Sequence, residues 1–192
     1  MNSKLKYEPL VQKPQLCFPT ILSMIALRRN YSLSQEEIAK KLNIKVTKEA
    51  IKQIKAKINI TPDSLDAGYD IQHINLAKLN KFLEKISMKA EFKKASEIKN
   101  IDNFIEKNIE DDNDVAMLFL WKAFGYKVDF AHYVLISSYN KDTKQVEVSD
   151  PGIRDNKKVW KAKIDEFLLG MDKKWDGKER GFFIFKNTKN NY

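Results

Sequence analysis

The chain has 192 residues, of which 43% are hydrophobic and 32% are charged. This length corresponds to a single domain, and the hydrophobic fraction is large enough to fill a core, which excludes a disordered chain. The formal net charge is +9. Because the basic residues are mostly lysines spread along the sequence among acidic residues, we interpret this excess as a solvated surface and expect no nucleic-acid partner.

No segment of the sequence has the features of a membrane span or an export signal. The longest apolar run, residues 115–121, is far shorter than the roughly 20 residues that cross a bilayer. The N-terminus lacks the apolar core of a signal peptide. We therefore expect a cytoplasmic protein without a fused transporter. With one cysteine, Cys17, and two histidines, His73 and His132, the sequence predicts no disulfide, metal or cofactor, and it leaves the oligomeric state open.

The first half of the sequence predicts helices. Residues 17–29 are apolar on nearly every face, which is typical of a buried central helix, and Pro19 fits its first turn. Ser34 and Glu37 have capping-box spacing and Asn43 fits a left-handed end, so we expect a second helix between them. Further helices are predicted at 47–58, 71–86 and 96–109, with a loop at 61–70 and a short strand at 88–93.

The second half of the sequence predicts β-strands. Strand patterns cover 115–121, 132–139, 145–150 and the residues from 181 onward, with a short helix at 162–170. Helices followed by strands indicate the α+β class, in which a helical half (about 1–110) packs on an antiparallel β-sheet (about 111–192). Since no linker separates the two halves, we expect a single domain over residues 1–192.

Three residues in these elements have the chemistry of a nucleophilic enzyme. A hairpin turn centred on Lys141 would place His132 opposite Asp150, where a carboxylate holds one imidazole nitrogen and orients the other. Cys17 opens the central helix, where the helix dipole and the free N–H groups stabilise a thiolate over a thiol. These residue types correspond to a nucleophile, a base and an orienting group.

Such a reaction also needs hydrogen-bond donors for an oxyanion. The backbone N–H of Cys17 can supply one donor, and the side chain of an upstream glutamine can supply the second. Gln12 and Gln15 are both candidates. We favour Gln12, because Gln15 is too close along the chain to turn its amide back over the thiolate.

A resemblance to a known family is carried by two stretches, VQKPQLCFPTILSMIALRRNYSLSQEEIAKKL and AHYVLISSYNKDTKQVEVSDPG. They resemble papain-like cysteine peptidases related to the bacteriocin-leader (double-glycine) processing peptidases. The resemblance implies a papain-like fold and an acyl-enzyme mechanism that cleaves a peptide or isopeptide bond in a peptide or protein substrate. By resemblance, Cys17 is the nucleophile, His132 the general base, Asp150 the orienting residue and Gln12 the oxyanion donor, and no cofactor takes part.

The sequence departs from that family next to the cysteine, where many relatives have glycine and this chain has Phe18. A bulky residue there would narrow the site or signal a different substrate. Three aromatic residues between the predicted strands either line a substrate cleft or anchor a loop: Phe124, Tyr126 and Phe130. Trp160 and Trp175 are interpreted as packing residues, and His73 as structural or exposed.

Two other functions remain as alternatives. Residues 34–58 also resemble a helix-turn-helix, so a DNA-binding protein is one of them. That interpretation leaves the pairing of His132 with Asp150 unexplained, and its second helix offers few side chains for reading bases. A catalytically inactive papain-like binding module is the other. The residues do not distinguish a peptidase from an amidase or an acyl transferase, which use the same acyl-enzyme chemistry.

Overall fold

A six-stranded antiparallel sheet forms the centre of the fold. The structure is a computed structural model and describes residues 4–44, 75–127, 130–154 and 157–188. The strands are β1 Met88–Lys94, β2 Asp114–Leu120, β3 Ala131–Asn140, β4 Gln145–Arg154, β5 Lys157–Lys163 and β6 Gly181–Asn187. Their order in the sheet is β1-β6-β2-β3-β4-β5. Strand β2 is buried at all seven positions, as the apolar run from Val115 to Leu120 predicts for a strand covered on both faces.

Five α-helices pack around this sheet in the described part of the chain. They are α1 Cys17–Arg28, α2 Gln35–Leu42, α3 Leu76–Leu83, α4 Ile101–Glu110 and α5 Ile164–Met171. The predicted α+β class, with helices on an antiparallel sheet, is therefore confirmed. None of the described helices has the length and apolar character that a bilayer crossing requires.

The central helix α1 is buried along most of its length. Every residue from Cys17 to Ala26 is buried, which is the physical reason that its sequence has no polar face. Phe18 is 0% exposed, and its ring lies 4.9 Å from that of Tyr133 and 5.4 Å from that of Phe183. The expectation that this residue narrows the site is wrong, because its side chain is part of the core.

Helix α2 has both predicted caps. The Ser34 hydroxyl accepts a hydrogen bond from the Glu37 backbone N–H at 3.2 Å, and the Glu37 carboxylate accepts one from the Ser34 N–H at 2.8 Å. At the other end, Asn43 has a left-handed conformation with φ 55°. The sequence signals for the ends of α2 are thus confirmed.

The described parts of α3 and α4 begin five residues later than the predicted starts at 71 and 96. Asn75 caps α3 by accepting a hydrogen bond from the Lys78 N–H at 2.9 Å, while residues 71–74 lie outside the described ranges. Asn100 caps α4 in the same way, accepting from the Asn103 N–H at 2.9 Å. The capping asparagines therefore set the starts of these helices, although apolar spacing extends further upstream.

One strand of the sheet was not predicted, and some predicted elements fall in residues that the structure does not describe. Strand β5 buries Trp160 and Ala162 between exposed lysines, an alternation that the surrounding charge obscures. The helix predicted at 47–58, the loop at 61–70 and His73 lie outside the described residues. The second helix of the alternative helix-turn-helix lies there too.

A cluster of charged residues fixes the far end of α1. Arg28 and Arg29 each donate to the buried Asp114 carboxylate at 3.0 Å, and both form ion pairs with Asp112. The Tyr7 hydroxyl also donates to Asp114, at 2.8 Å. Because α1 is a rigid rod, this attachment to the start of β2 holds the orientation of its opposite end, where Cys17 lies.

Candidate active site

The β3–β4 hairpin brings His132 and Asp150 to one face of the sheet. Leu135 pairs with Ser149, so the predicted register, with His132 directly opposite Asp150, is wrong by two residues. The difference arises because the turn contains four residues and β3 carries a bulge. Since side chains alternate between the faces with a period of two, a shift of two residues keeps both side chains on the same face, as diagonal neighbours.

Asp150 is fully buried and receives three hydrogen bonds. His132 Nε2 donates to Asp150 Oδ1 at 2.6 Å, and the Gly152 backbone N–H donates to the same oxygen at 2.8 Å. Trp160 Nε1 donates to Asp150 Oδ2 at 2.9 Å. Because a carboxylate only accepts hydrogen bonds, this contact makes His132 Nε2 the protonated nitrogen and directs Nδ1 away from Asp150.

Cys17 lies beside the same imidazole ring. Burial lowers the pKa of His132, but the charge and hydrogen bond of Asp150 and the contact with the Cys17 side chain outweigh that effect and raise it to about 10. His132 therefore carries a positive charge at neutral pH. With Nε2 bound to Asp150, the nitrogen left for the cysteine is Nδ1. Cys17, His132 and Asp150 thus lie together, with the histidine between the other two, and their catalytic roles stay a prediction.

Aromatic side chains enclose the histidine. The Trp121 ring stacks on the His132 ring at 5.1 Å with an interplanar angle of 25°, and Phe119 meets it edge-on at 6.0 Å. Trp160 stacks on Phe167 at 5.5 Å. Stacking of an indole face on an imidazolium is favourable, and the surrounding rings exclude water from the pair with Asp150.

The segment that contains Gln12 is held against the same hairpin. The Gln12 N–H donates to the Pro151 carbonyl at 2.8 Å, one residue past Asp150 in the chain. On the other side, the Gln35 side chain accepts from the Lys13 N–H at 2.7 Å and donates to the Val11 carbonyl at 3.0 Å. The side chain of Gln35, the first residue of α2, therefore fixes the backbone on both sides of Gln12.

The two candidate glutamines have different surroundings. Among the described residues, Gln12 Oε1 is a buried atom with no hydrogen-bond partner, so its amide has unused capacity close to the hairpin. Gln15 is 5% exposed and has a left-handed backbone with φ 58°, in the turn that leads into α1. The preference for Gln12 over Gln15 stays a prediction.

Sequence reasoning missed several residues of this site. From the sequence, Trp160 is interpreted as a packing residue and Gln35 is not singled out, because no signal in one sequence reveals the partner of a side-chain N–H. Phe124 packs in the aromatic cluster against Phe119 and Phe167 at 5.3 and 5.0 Å, so it anchors its loop. Tyr126, 39% exposed, lies against Trp121 at 5.1 Å.

The described chain also has a cavity outside this site. A cavity of about 220 Å³ lies between β1, β6 and α4 and contains none of the residues discussed above. Within the described ranges, no group of three or more histidine, cysteine, aspartate or glutamate side chains is placed to hold a metal ion.

The helices on an antiparallel sheet are those of a papain-like fold, and comparison with known proteins gives the family. The chain belongs to the Peptidase_C39 like family, whose model matches residues 4–177. The resemblance found in the two sequence motifs is thereby confirmed. No curated protein matches the sequence.

A solved structure of a peptidase domain has the same fold. The peptidase domain of Streptococcus ComA, a bi-functional ABC transporter involved in a quorum-sensing pathway, is similar with a TM-score of 0.52 at 12% identity, covering 93% of this chain and 96% of that chain. A double glycine motif protease from an AMS/PCAT transporter, in complex with the leader peptide, has a TM-score of 0.45 at 12% identity, covering 98% of this chain and 99% of that chain.

Proposed function

We propose that this chain is a cysteine peptidase that cleaves a peptide or isopeptide bond through an acyl-enzyme, with Cys17, His132 and Asp150 as its catalytic residues. One observation carries the proposal: His132 contacts the Cys17 side chain and forms a 2.6 Å hydrogen bond with the buried carboxylate of Asp150. Membership of a peptidase family supports the same reaction class. The partner is then a peptide or protein, and we infer a cytoplasmic location, where a catalytic thiol stays reduced.

The first half of the reaction forms a thioester. With its proton on His132, Cys17 attacks the carbonyl carbon of the scissile bond as a thiolate, forming a carbon–sulfur bond and a tetrahedral oxyanion. The imidazolium then gives its Nδ1 proton to the leaving nitrogen, the carbon–nitrogen bond breaks, and the amine product departs. Asp150 keeps Nε2 protonated and holds the ring in place during this transfer.

The second half of the reaction releases the acyl group. His132, now neutral, takes a proton from a water molecule, which attacks the thioester carbon. The carbon–sulfur bond breaks, the carboxylic acid product leaves, and Cys17 and His132 return to the thiolate–imidazolium pair.

Gln12 is proposed to stabilise the oxyanion in both steps. The buried Oε1 of Gln12 has no hydrogen-bond partner beside the hairpin. This supports the role, since the Nε2 of the same amide takes that position when the amide turns by half a rotation. The Cys17 N–H, in the first turn of α1, has no carbonyl partner within its own helix and supplies the second donor.

A peptide-library experiment tests the function. The purified chain is incubated with a synthetic library of mixed-sequence peptides, and new termini are identified by mass spectrometry. We expect cleavage by the wild type, and loss of cleavage in Cys17→Ser and His132→Ala. Asp142→Asn, a change in the exposed turn of the hairpin, is the control that should cleave normally. Cleavage that persists in Cys17→Ser, or is absent from the wild type although the library contains cut sites for related peptidases, would contradict the proposal.

A further inference from the structure

The two oxygens of Asp150 have separate partners. Oδ1 accepts from His132 Nε2 and from the Gly152 N–H, at 2.6 and 2.8 Å, whereas Oδ2 accepts from Trp160 Nε1 at 2.9 Å. Asp150 is 0% exposed and Trp160 is 8% exposed. The indole N–H is therefore the hydrogen bond that holds the far side of the carboxylate.

We propose that Trp160 is a positioning residue of the active site: its indole N–H binds Asp150 Oδ2 and so aims Oδ1 at His132. The importance of this role for catalysis rests on the proposed peptidase function. The hydrogen bonds that connect Trp160 through Asp150 to His132 are independent of that function. Without a partner on Oδ2, the carboxylate is free to rotate about its χ2 angle, and the alignment with the imidazole depends on the Gly152 N–H alone.

The sheet and the aromatic cluster fix Trp160 for this task. Trp160 pairs with Val148 across β4 and β5, so its side chain lies on the same face as that of Asp150, as a diagonal neighbour. The indole ring stacks on Phe167 at 5.5 Å with an interplanar angle of 18° and meets Phe124 edge-on at 5.8 Å. A large ring held on both sides loses little further freedom when its N–H donates a hydrogen bond.

The pKa of His132 depends on the hydrogen bond between Trp160 and Asp150. Among the described residues, the charged and titratable groups with the largest effects on His132 are Asp150 from β4 and Cys17 from α1. The two rings that contact it, Phe119 and Trp121, do not titrate. Removing the N–H leaves Oδ2 as a buried oxygen without a donor, which disfavours the ionised carboxylate and weakens its hold on the imidazolium. The pKa of His132 should then fall.

Trp160→Phe is the test, because phenylalanine keeps an aromatic ring against Phe167 and removes only the N–H and part of the indole. Trp175→Phe is the matched control, since Trp175 Nε1 donates to the Leu169 carbonyl at 2.7 Å and has no contact with Asp150. The histidine resonances are followed by NMR in the full chain between about pH 5 and pH 11. The chain has two histidines, so His73→Ala assigns the signals.

We expect Trp160→Phe to lower the midpoint of the His132 titration by about one pH unit and Trp175→Phe to leave it unchanged. In the Asp150→Asn background, Trp160→Phe should cause no further shift, because the group through which it acts is gone. An unchanged midpoint in Trp160→Phe, or an equal further shift in the double variant, would overturn the proposal.

Two further readouts keep this inference separate from the peptidase proposal. The NMR titration needs no turnover, so it decides the role of Trp160 even in a chain that cleaves nothing. In the wild type, the indole N–H resonance of Trp160 should change with pH at the same midpoint as the His132 resonances. This measurement uses the wild type alone and so does not depend on the folding of any variant. Where cleavage is measurable, the alkaline limb of its pH profile should move to lower pH in Trp160→Phe, whereas a packing defect would lower the rate at every pH.

Discussion

Replacing Asp150 by asparagine is the most informative single change in this protein. The side chain keeps its shape but loses its charge and one of its acceptor oxygens. Asp150 now accepts from three donors, on His132, Gly152 and Trp160. In either orientation of the asparagine amide, its NH₂ group faces a donor, so Asp150→Asn breaks at least one buried hydrogen bond and removes the counter-charge of the imidazolium.

The structure sets the size and the sign of the effect. Burial lowers the pKa of His132, and Asp150 is the main group that raises it to about 10. Without that charge we expect the pKa to fall below the ordinary histidine value of about 6.5. A pKa that is raised in the folded state contributes stability that is fully present below about pH 6.5 and is lost as the pH rises through about 10. Breaking the buried pair should therefore cost about 3–5 kcal/mol near pH 6 and clearly less above pH 10.

Urea unfolding of the wild type and Asp150→Asn at about pH 6 and about pH 10.5 measures this difference. The control is Asp142→Asn, which removes one charge from the exposed turn and should change the free energy of unfolding by less than about 0.5 kcal/mol. In the peptide assay at neutral pH, we expect Asp150→Asn to lower kcat/KM by roughly 10²–10⁴-fold. A loss of stability that is equal at the two pH values would refute the reasoning, because it would show that His132 is not charged through Asp150.

Three other substitutions test separate parts of the account. Gly152→Ala places a Cβ 3.2 Å from Asp150 Oδ1 and 3.3 Å from Nε2 of the histidine. We expect kcat/KM to fall about tenfold, while the variant unfolds like the wild type. Unchanged activity would show that this contact is tolerated. Gln35→Glu replaces the side-chain donor that binds the Val11 carbonyl by an acceptor, which should loosen the backbone around Gln12. We expect kcat to fall about tenfold, while the titration of His132 followed by NMR stays unchanged. Asp114→Ala removes the acceptor shared by Arg28 and Arg29 at the end of α1. We expect the free energy of unfolding, measured in urea, to fall by about 3–5 kcal/mol. A fall of less than about 1 kcal/mol would contradict this expectation.

Strong local signals made much of the fold predictable. A helix that is apolar all round had to be central, and the capping box of Ser34 with the left-handed Asn43 gave α2 both of its ends. The starts of α3 and α4 were misplaced, because apolar periodicity continues upstream of Asn75 and Asn100, whose side chains stop the helix. Strand β5 was missed, since its buried Trp160 and Ala162 alternate with lysines that read as a solvated segment.

For the candidate site, the sequence was enough to predict that the side chains of His132 and Asp150 lie on the same face of the sheet, but not which atoms are in contact. The order of Cys17, His132 and Asp150 and the period-two rule were enough to bring these side chains together, although the assumed register was wrong by two residues. Which nitrogen of His132 meets the carboxylate depends on the side-chain conformations across the β3–β4 hairpin. Which donor occupies the other oxygen depends on the register between β4 and β5. That register is set by tertiary packing, so the role of Trp160 was not readable from the sequence.

The state of the Cys17 side chain is the most direct test of the central claim, that Cys17 and His132 form a thiolate–imidazolium pair. Since the chain contains one cysteine, the ultraviolet absorbance of the wild type minus that of Cys17→Ser reports this thiolate alone, without any reagent having to reach a buried atom. We predict that the thiolate signal is present at neutral pH in the wild type and is lost at the same pH in His132→Ala, because the imidazolium that stabilises it is gone. Equal thiolate absorbance in the wild type and His132→Ala would contradict the account.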